Sequence, residues 1–158
     1  MKIQSLIVVT GPTGVGKTAL TLDIAQHYGI EIINADSRQI YKELQIGTAA
    51  PTKAQLERVK HHFVASKNVN DYYSASLYEQ DVLELLKANP SSTYILSGGS
   101  MMYVDAVCYG IDEIPTIDNK VRQDLMKTYE TEGLNKLCDL LKDLDPAHWD
   151  IVDKQNPR

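Results

Sequence analysis

Residues 11–18 read Gly11-Pro12-Thr13-Gly14-Val15-Gly16-Lys17-Thr18. They match the pattern GxxxxGK[ST] at every position. A short apolar run, Ile3 to Val9, precedes them, and a helical pattern from Thr18 to Tyr28 follows, closed by Gly29. Strand, glycine loop and helix in that order predict a phosphate-binding loop. Glycines let backbone N–H groups curl around an anion, and the helix N-terminus adds the positive end of a dipole. Lys17 supplies a mobile charge, and the Thr18 hydroxyl is placed to reach a Mg²⁺ ion. The alternative is a glycine-rich turn without a ligand. Eight matching positions and two matching flanks favour the phosphate site, but do not say which phosphate compound enters it.

Outward from the loop, the chain alternates. Ile3–Val9 reads as a buried parallel strand, and Ile30 to Asn34 as a second strand. Thr52-Lys53-Ala54-Gln55 and Ser76-Leu77-Tyr78-Glu79 are capping boxes that open helices, and Asn89-Pro90 ends the second. Thr93 to Leu96 is a third strand, and a helix from Ser100 to Tyr109 follows it, closed by Gly110. Beyond Pro115 the pattern becomes helical, with Asp118 as a cap and Asp145-Pro146 as a helix start. The expected fold is α/β: a three-layer P-loop core around a parallel sheet, then a helical insertion, truncated at the C-terminus. The expected division is an incomplete core over 1–113 and the start of the insertion over 114–158. A sheet of three strands is thin for such a core, which raises the expectation that the chain is a fragment.

Composition narrows the class. The 158 residues are 43% hydrophobic and 23% charged, which excludes a disordered tail, a collagen-like fibre and a coiled coil. No window approaches the ~20 apolar residues of a membrane span, and the N-terminal run does not read as a signal peptide. Cys108 and Cys138 form no CxxC, which points to a reducing, cytoplasmic setting and no zinc site. The net charge of −5 argues against nucleic acid when taken alone. Its distribution weakens that argument. Residues 1–60 carry 7 basic and 5 acidic side chains (7 − 5 = +2), whereas residues 111–158 carry 7 and 11 (7 − 11 = −4).

The carboxylate that matters is Asp36, just past the second strand. ATPase and GTPase motors usually hold Mg²⁺ with an acid at a later strand end, but Thr93–Leu96 runs into Ser97-Gly98-Gly99 without one. Strand ends in this fold class gather on the face that holds the phosphate loop. Asp36 there can take a proton from an attacking nucleophile. It reads equally well as a turn-capping residue in Asn34-Ala35-Asp36-Ser37.

A series of segments tips that balance. Asp36-Ser37-Arg38-Gln39-Ile40-Tyr41, Ile46-Gly47-Thr48-Ala49-Ala50-Pro51, His61-His62 and Gly98-Gly99-Ser100-Met101-Met102-Tyr103 follow in order. Together with the P-loop, Val121-Arg122 and Asp145-Pro146, the series resembles the tRNA dimethylallyltransferases, also called tRNA isopentenyltransferases. The resemblance implies transfer of a dimethylallyl group from dimethylallyl diphosphate to N6 of adenosine 37, beside the tRNA anticodon. It implies a P-loop that cradles the diphosphate, Mg²⁺ on Thr18, and Asp36 and Ser100 as catalytic groups. It implies contacts from Asp36, Ser37, Arg38, Gln39, Ser100 and Arg122 to the tRNA anticodon stem-loop. It further implies a cytoplasmic enzyme, monomeric when full length, in which this chain alone has weak or no activity. Two departures stand out: the family usually has Thr at position 100 and commonly Lys at position 50. The alternatives are a P-loop small-molecule kinase, an adenylate isopentenyltransferase and a nucleotide-binding regulatory module. A kinase lid normally brings arginines, and none lies between Arg58 and Arg122.

Other residues read more plainly. His61 and His62 are taken as structural residues at a helix end, Trp149 as a buried anchor and Cys108 as packing. Tyr72 and Tyr73 are taken as packing or loop-anchoring residues. Arg38 reads equally as a phosphate contact or a locally paired cation. Arg122, apart from the resemblance, reads as a solvated side chain.

Overall fold

A computed structural model describes residues 5–12, 14–111 and 117–156. Thr13 and the expected boundary at 113/114, with Pro115 beside it, lie outside the described residues. The chain divides into two units, Met1–Asp112 and Glu113–Arg158.

The first unit alternates strands and helices: β1 (Ser5–Thr10), α1 (Lys17–Tyr28), β2 (Glu31–Asn34), α2 (Lys53–Arg58), β3 (His61–His62), α3 (Ala75–Ala88), β4 (Thr93–Gly98) and α4 (Met101–Tyr109). The four strands are parallel, in the order β1-β4-β2-β3. Side chains alternate across the pleat, so neighbours on one strand serve opposite faces. Ile32 and Ile95 pack with Leu22 and Ala25 of α1 on one face. Ile33, Tyr94 and Leu96 pack with Tyr78 and Val82 of α3 and with Tyr103 and Val104 of α4 on the other. Those are the three layers. Ile95 is fully buried, and truncating such a side chain to alanine typically costs about 2–5 kcal/mol.

Local chemistry sets the helix ends. Gly29 closes α1 in the left-handed conformation, with its N–H on the Ala25 carbonyl. Thr52 opens α2 with a complete capping box. The cap of α3 is Ser74, whose Oγ accepts from the Leu77 N–H, rather than Ser76. Two hydroxyl residues two positions apart offer rival starts, and α3 takes the earlier one.

Three expectations are corrected here. His61 and His62 do not end a helix. They form β3, paired with Ile32 and Ile33 of β2, so among the described residues the sheet has four strands and not three. The first strand is not buried. Among the described residues β1 pairs only with β4, and Ile7 and Val8 are 39% and 42% exposed. Cys108 does not pack: it is exposed on α4.

The second unit is helical. α5 (Asn119–Leu144) starts on Asp118, whose Oδ1 accepts from the Lys120 N–H, and is broken at Gly133. α6 (Pro146–Ile151) starts on Asp145, which accepts from the His148 N–H. Trp149 is half-buried rather than a buried anchor. The ammonium groups of Lys142 and Lys154 stand 4.9 and 4.2 Å from its ring centre, where the ring's π face attracts both cations. Among the described residues, no helix is long and apolar enough to cross a membrane.

Candidate active site at the carboxyl edge of the sheet

Three loops leave the same edge of the sheet. β1 ends at Thr10 opposite Gly98, and β2 ends at Asn34 opposite Ser97. The glycine loop, the Gly98-Gly99-Ser100 turn and the Asp36 segment therefore emerge side by side. The strand order places the Ser100 turn between the other two. This is the crevice at strand carboxyl ends where open α/β sheets bind ligands.

Gly16 occupies the N-cap of α1 with φ 95° and no side-chain cap bond. Such a φ strains any residue with a Cβ, so glycine is required there. The first N–H groups of α1 thus have no capping side chain and remain available to an anion. Lys17 bends back over the loop, and its Nζ donates to the carbonyls of Gly11 and Pro12 at 2.6 and 2.7 Å. The ammonium therefore stands over the loop, beside the open helix N-terminus. Thr18 lies exposed in the first turn of α1, and among the described residues no cluster of three acidic, His or Cys side chains forms a metal cage. One hydroxyl at an open site suits Mg²⁺ held mainly by phosphate oxygens and water, as that ion prefers.

Asp36 is half-buried. Its Oδ1 accepts from the N–H groups of Arg38 (2.9 Å) and Gln39 (3.3 Å). This is the capped turn that the sequence allowed. It commits one carboxylate oxygen, and among the described residues the other, Oδ2, makes no hydrogen bond. The turn-capping and base readings are thus compatible, one oxygen for each. Ser100 sits at the N-cap position of α4. Its Oγ accepts from the Ser37 N–H at 2.8 Å and its hydroxyl donates to Ser37 Oγ at 3.0 Å, so it ties the Asp36 segment to the α4 turn.

The remaining candidates divide. Gln39 faces the 45–50 loop, where its side-chain amide donates to the carbonyls of Thr48 (3.0 Å) and Ala49 (3.4 Å). Arg38 is exposed and forms no ion pair among the described residues, which removes the local-pairing reading. Arg122 is an exposed residue of α5, in the second unit. His62 is occupied elsewhere, its Nε2 lying 2.6 Å from Glu31 Oε2. Tyr73 anchors a loop by donating to Asp81 Oδ2, whereas Tyr72 is 81% exposed and makes no hydrogen bond or ring contact among the described residues.

Two features of the site went unread in the sequence. Gly98 lies against the main chain of Ala35, where no side chain fits; a glycine ending an apolar strand was the available signal. Ala49, Phe63 and Ala65 take left-handed backbone at φ 50°, 60° and 48°, and no residue type announces that.

A glycine loop at a helix N-terminus, beside a carboxylate-bearing turn on a parallel sheet, defines a P-loop α/β protein. Comparison with known proteins narrows this class. The family model described as IPP transferase matches residues 39–158. The chain is 57% identical over 158 residues to a tRNA dimethylallyltransferase 1 of Phocaeicola vulgatus, covering 98% of this chain and 52% of that protein. It is 43% identical to the tRNA dimethylallyltransferase of Flavobacterium johnsoniae, covering 99% and 51%. The crystal structure of the full-length tRNA isopentenylpyrophosphate transferase of Bacillus halodurans superposes with a TM-score of 0.65 at 28% identity, over 96% of this chain and 51% of that one. A eukaryotic dimethylallyltransferase acting on tRNA shares the fold, with a TM-score of 0.73 at 21% identity over 96% and 38% of the two chains. The chain belongs to the IPP transferase family. It spans about half the length of the curated relatives it matches.

Proposed function

We propose that this chain carries the diphosphate-binding and base-activating part of a tRNA dimethylallyltransferase acting in the cytoplasm. The observation that carries the reading is the convergence of three elements on one sheet edge. The glycine loop meets the open N-terminus of α1, Asp36 has one oxygen engaged and one free, and Ser100 braces the turn between them.

The chemistry follows. Dimethylallyl diphosphate places its diphosphate in the loop, against the N–H groups of α1 and Lys17. The lone pair of the adenine N6 amine attacks the allylic carbon next to oxygen. The carbon–oxygen bond breaks, and its electron pair leaves with the diphosphate. Asp36 accepts the amine proton through its unoccupied oxygen. Charge accumulates on the leaving group, where fixed donors and Lys17 stabilise it most. The Thr18 hydroxyl would hold a Mg²⁺ ion here, and that ion would supply further neutralisation of the charge. A base in a stem-loop must leave its stack to enter such a site. Ser37, Arg38 and Gln39 flank Asp36 on the same segment and form the near edge of the base site, and Arg122 contributes a tRNA phosphate contact. Ser100 serves through Ser37, since its hydroxyl is engaged there.

The test is to supply protein made from the whole reading frame with dimethylallyl diphosphate, Mg²⁺ and either unmodified tRNA or free AMP, and to analyse the products by mass spectrometry. The reading expects N6-dimethylallyl adenosine in the tRNA. Prenylated AMP with untouched tRNA would instead indicate an adenylate isopentenyltransferase.

A further inference from the structure

We propose that Asn34 is a positioning residue for Asp36, acting by clamping the Asp36–Ser37 peptide unit against Ser100. Asn34 ends β2 and is 6% exposed, too buried to meet substrate. Its side-chain amide donates to two carbonyls, that of Phe63 at 3.0 Å and that of Asp36 at 3.4 Å. Its own carbonyl accepts from the hydroxyl of Tyr78 at 2.9 Å, and Tyr78 is fully buried and stacked on Tyr103. Asn34 is therefore fixed from behind by the core.

The Asp36 carbonyl and the Ser37 N–H belong to one planar peptide unit. Asn34 holds that unit by its oxygen, and Ser100 Oγ holds it by its hydrogen at 2.8 Å. With the plane held at both ends, the backbone rotation that aims the Asp36 side chain is fixed. The bonds from Arg38 and Gln39 to Oδ1 then set the carboxylate itself. A misplacement of about 1 Å at a reacting group is enough to slow a reaction by ~10².

A second observation points the same way. Phe63, the other acceptor of the Asn34 amide, is held at φ 60°, and Ala65 at φ 48° donates its N–H to the Gln39 carbonyl. Left-handed backbone at non-glycine residues costs energy and persists only where its surroundings impose it. Here the strained turn is bonded at both points to the segment 34–39. An apolar residue at position 34 would suit a buried strand end equally well. The amide is instead committed to two loops of the site.

The test uses Asn34→Ala, made in the whole reading frame that contains this sequence, with two readouts. The first is hydrogen exchange of the Ser37 amide, with Ile33 and Ile95 amides as reporters of an intact core. The second is the split of kcat and KM for prenyl transfer. Ser37 exchange should accelerate by about tenfold or more while the core amides keep their protection. The kcat should fall by about tenfold or more, with KM for the diphosphate donor unchanged. Should Asn34→Ala not fold, Asn34→Ser, which keeps one donor on a shorter side chain, is read in the same two ways. Normal Ser37 exchange, or normal kcat, in the folded variant overturns the proposal. The turnover arm rests on the prenyl-transfer reading, but the exchange arm does not. If no prenyl transfer is found at all, Ser37 exchange alone decides whether Asn34 clamps the peptide.

Discussion

Gly98, the last residue of β4, lies directly against the main chain of Ala35, so a Cβ at position 98 would overlap the Ala35 carbonyl. Ala35 is itself bonded on both sides: its N–H donates to the Ser97 carbonyl at 2.8 Å and its carbonyl accepts from the Ser100 N–H at 3.1 Å. The missing side chain lets the exits of β2 and β4 touch. Through that contact the Asp36 and Ser100 turns share one scaffold. Gly98→Ala is expected to cost about 1–3 kcal/mol of stability, the usual penalty for overpacking, and to slow transfer by displacing Asp36. Urea unfolding with a wild-type midpoint would show that the contact yields without strain.

Lys17 is held over the glycine loop by two carbonyls, and the proposed reading gives its charge to the diphosphate. Lys17→Met keeps the aliphatic stem and removes the ammonium. Loss of a hydrogen bond to a charged group costs ~1.5–3 kcal/mol, so diphosphate affinity should drop by about 10- to 100-fold. Titration calorimetry with inorganic diphosphate measures this directly. Equal affinities would mean that the loop N–H groups alone hold the ligand.

Asp36→Asn preserves the acceptor for the Arg38 and Gln39 N–H groups and removes the base. Transfer should fall by ~10²–10⁴, the range for a single general base, with diphosphate binding retained. An unchanged rate would leave Asp36 with the turn-capping role alone.

Stability should fall in two stages on acidification. Burial pushes the His61 imidazole below its ordinary value of 6.5, partly offset by its bond to the Val59 carbonyl. Below pH 6.5 the unfolded chain therefore takes up a proton more readily than the folded one, and stability drops. Burial alone would raise the Glu31 carboxyl. Hydrogen bonds from His62 and Lys60, aided by their charge, outweigh it and hold Glu31 below 4.5. That contribution is fully present above pH 4.5 and is lost as pH falls through the folded value. Urea midpoints across pH check both stages, and Glu31→Gln should abolish the second. A second stage that survives Glu31→Gln would place its origin elsewhere.

Much of this architecture was legible because its signals are local. The GxxxxGK[ST] spacing needs only eight consecutive residues. Gly29, the Thr52 capping box, Asp118 and Asp145-Pro146 each act within one helical turn, and each was found where expected. The failures involve distant partners. His61-His62 is too short to show alternation and becomes a strand only by pairing with β2. The Ile and Val content of β1 predicted burial, but burial depends on neighbours that composition does not reveal. Within the site, Asp36 was recognisable beside its strand, whereas the bond between Ser37 and Ser100 joins residues 63 positions apart. The Asn34 amide reaches 29 positions to Phe63. Contacts of that span are consequences of the fold, and no local pattern announces them.

One assay tests the proposed prenyl transfer most directly. Protein made from the whole reading frame that contains this sequence is incubated with dimethylallyl diphosphate, Mg²⁺ and unmodified tRNA, alongside the same reaction with ATP and small alcohols. The expected product is one dimethylallyl group on N6 of the adenosine beside the anticodon, with diphosphate released in equal amount. Phosphorylation of an alcohol by ATP, with no prenylated tRNA, would contradict it.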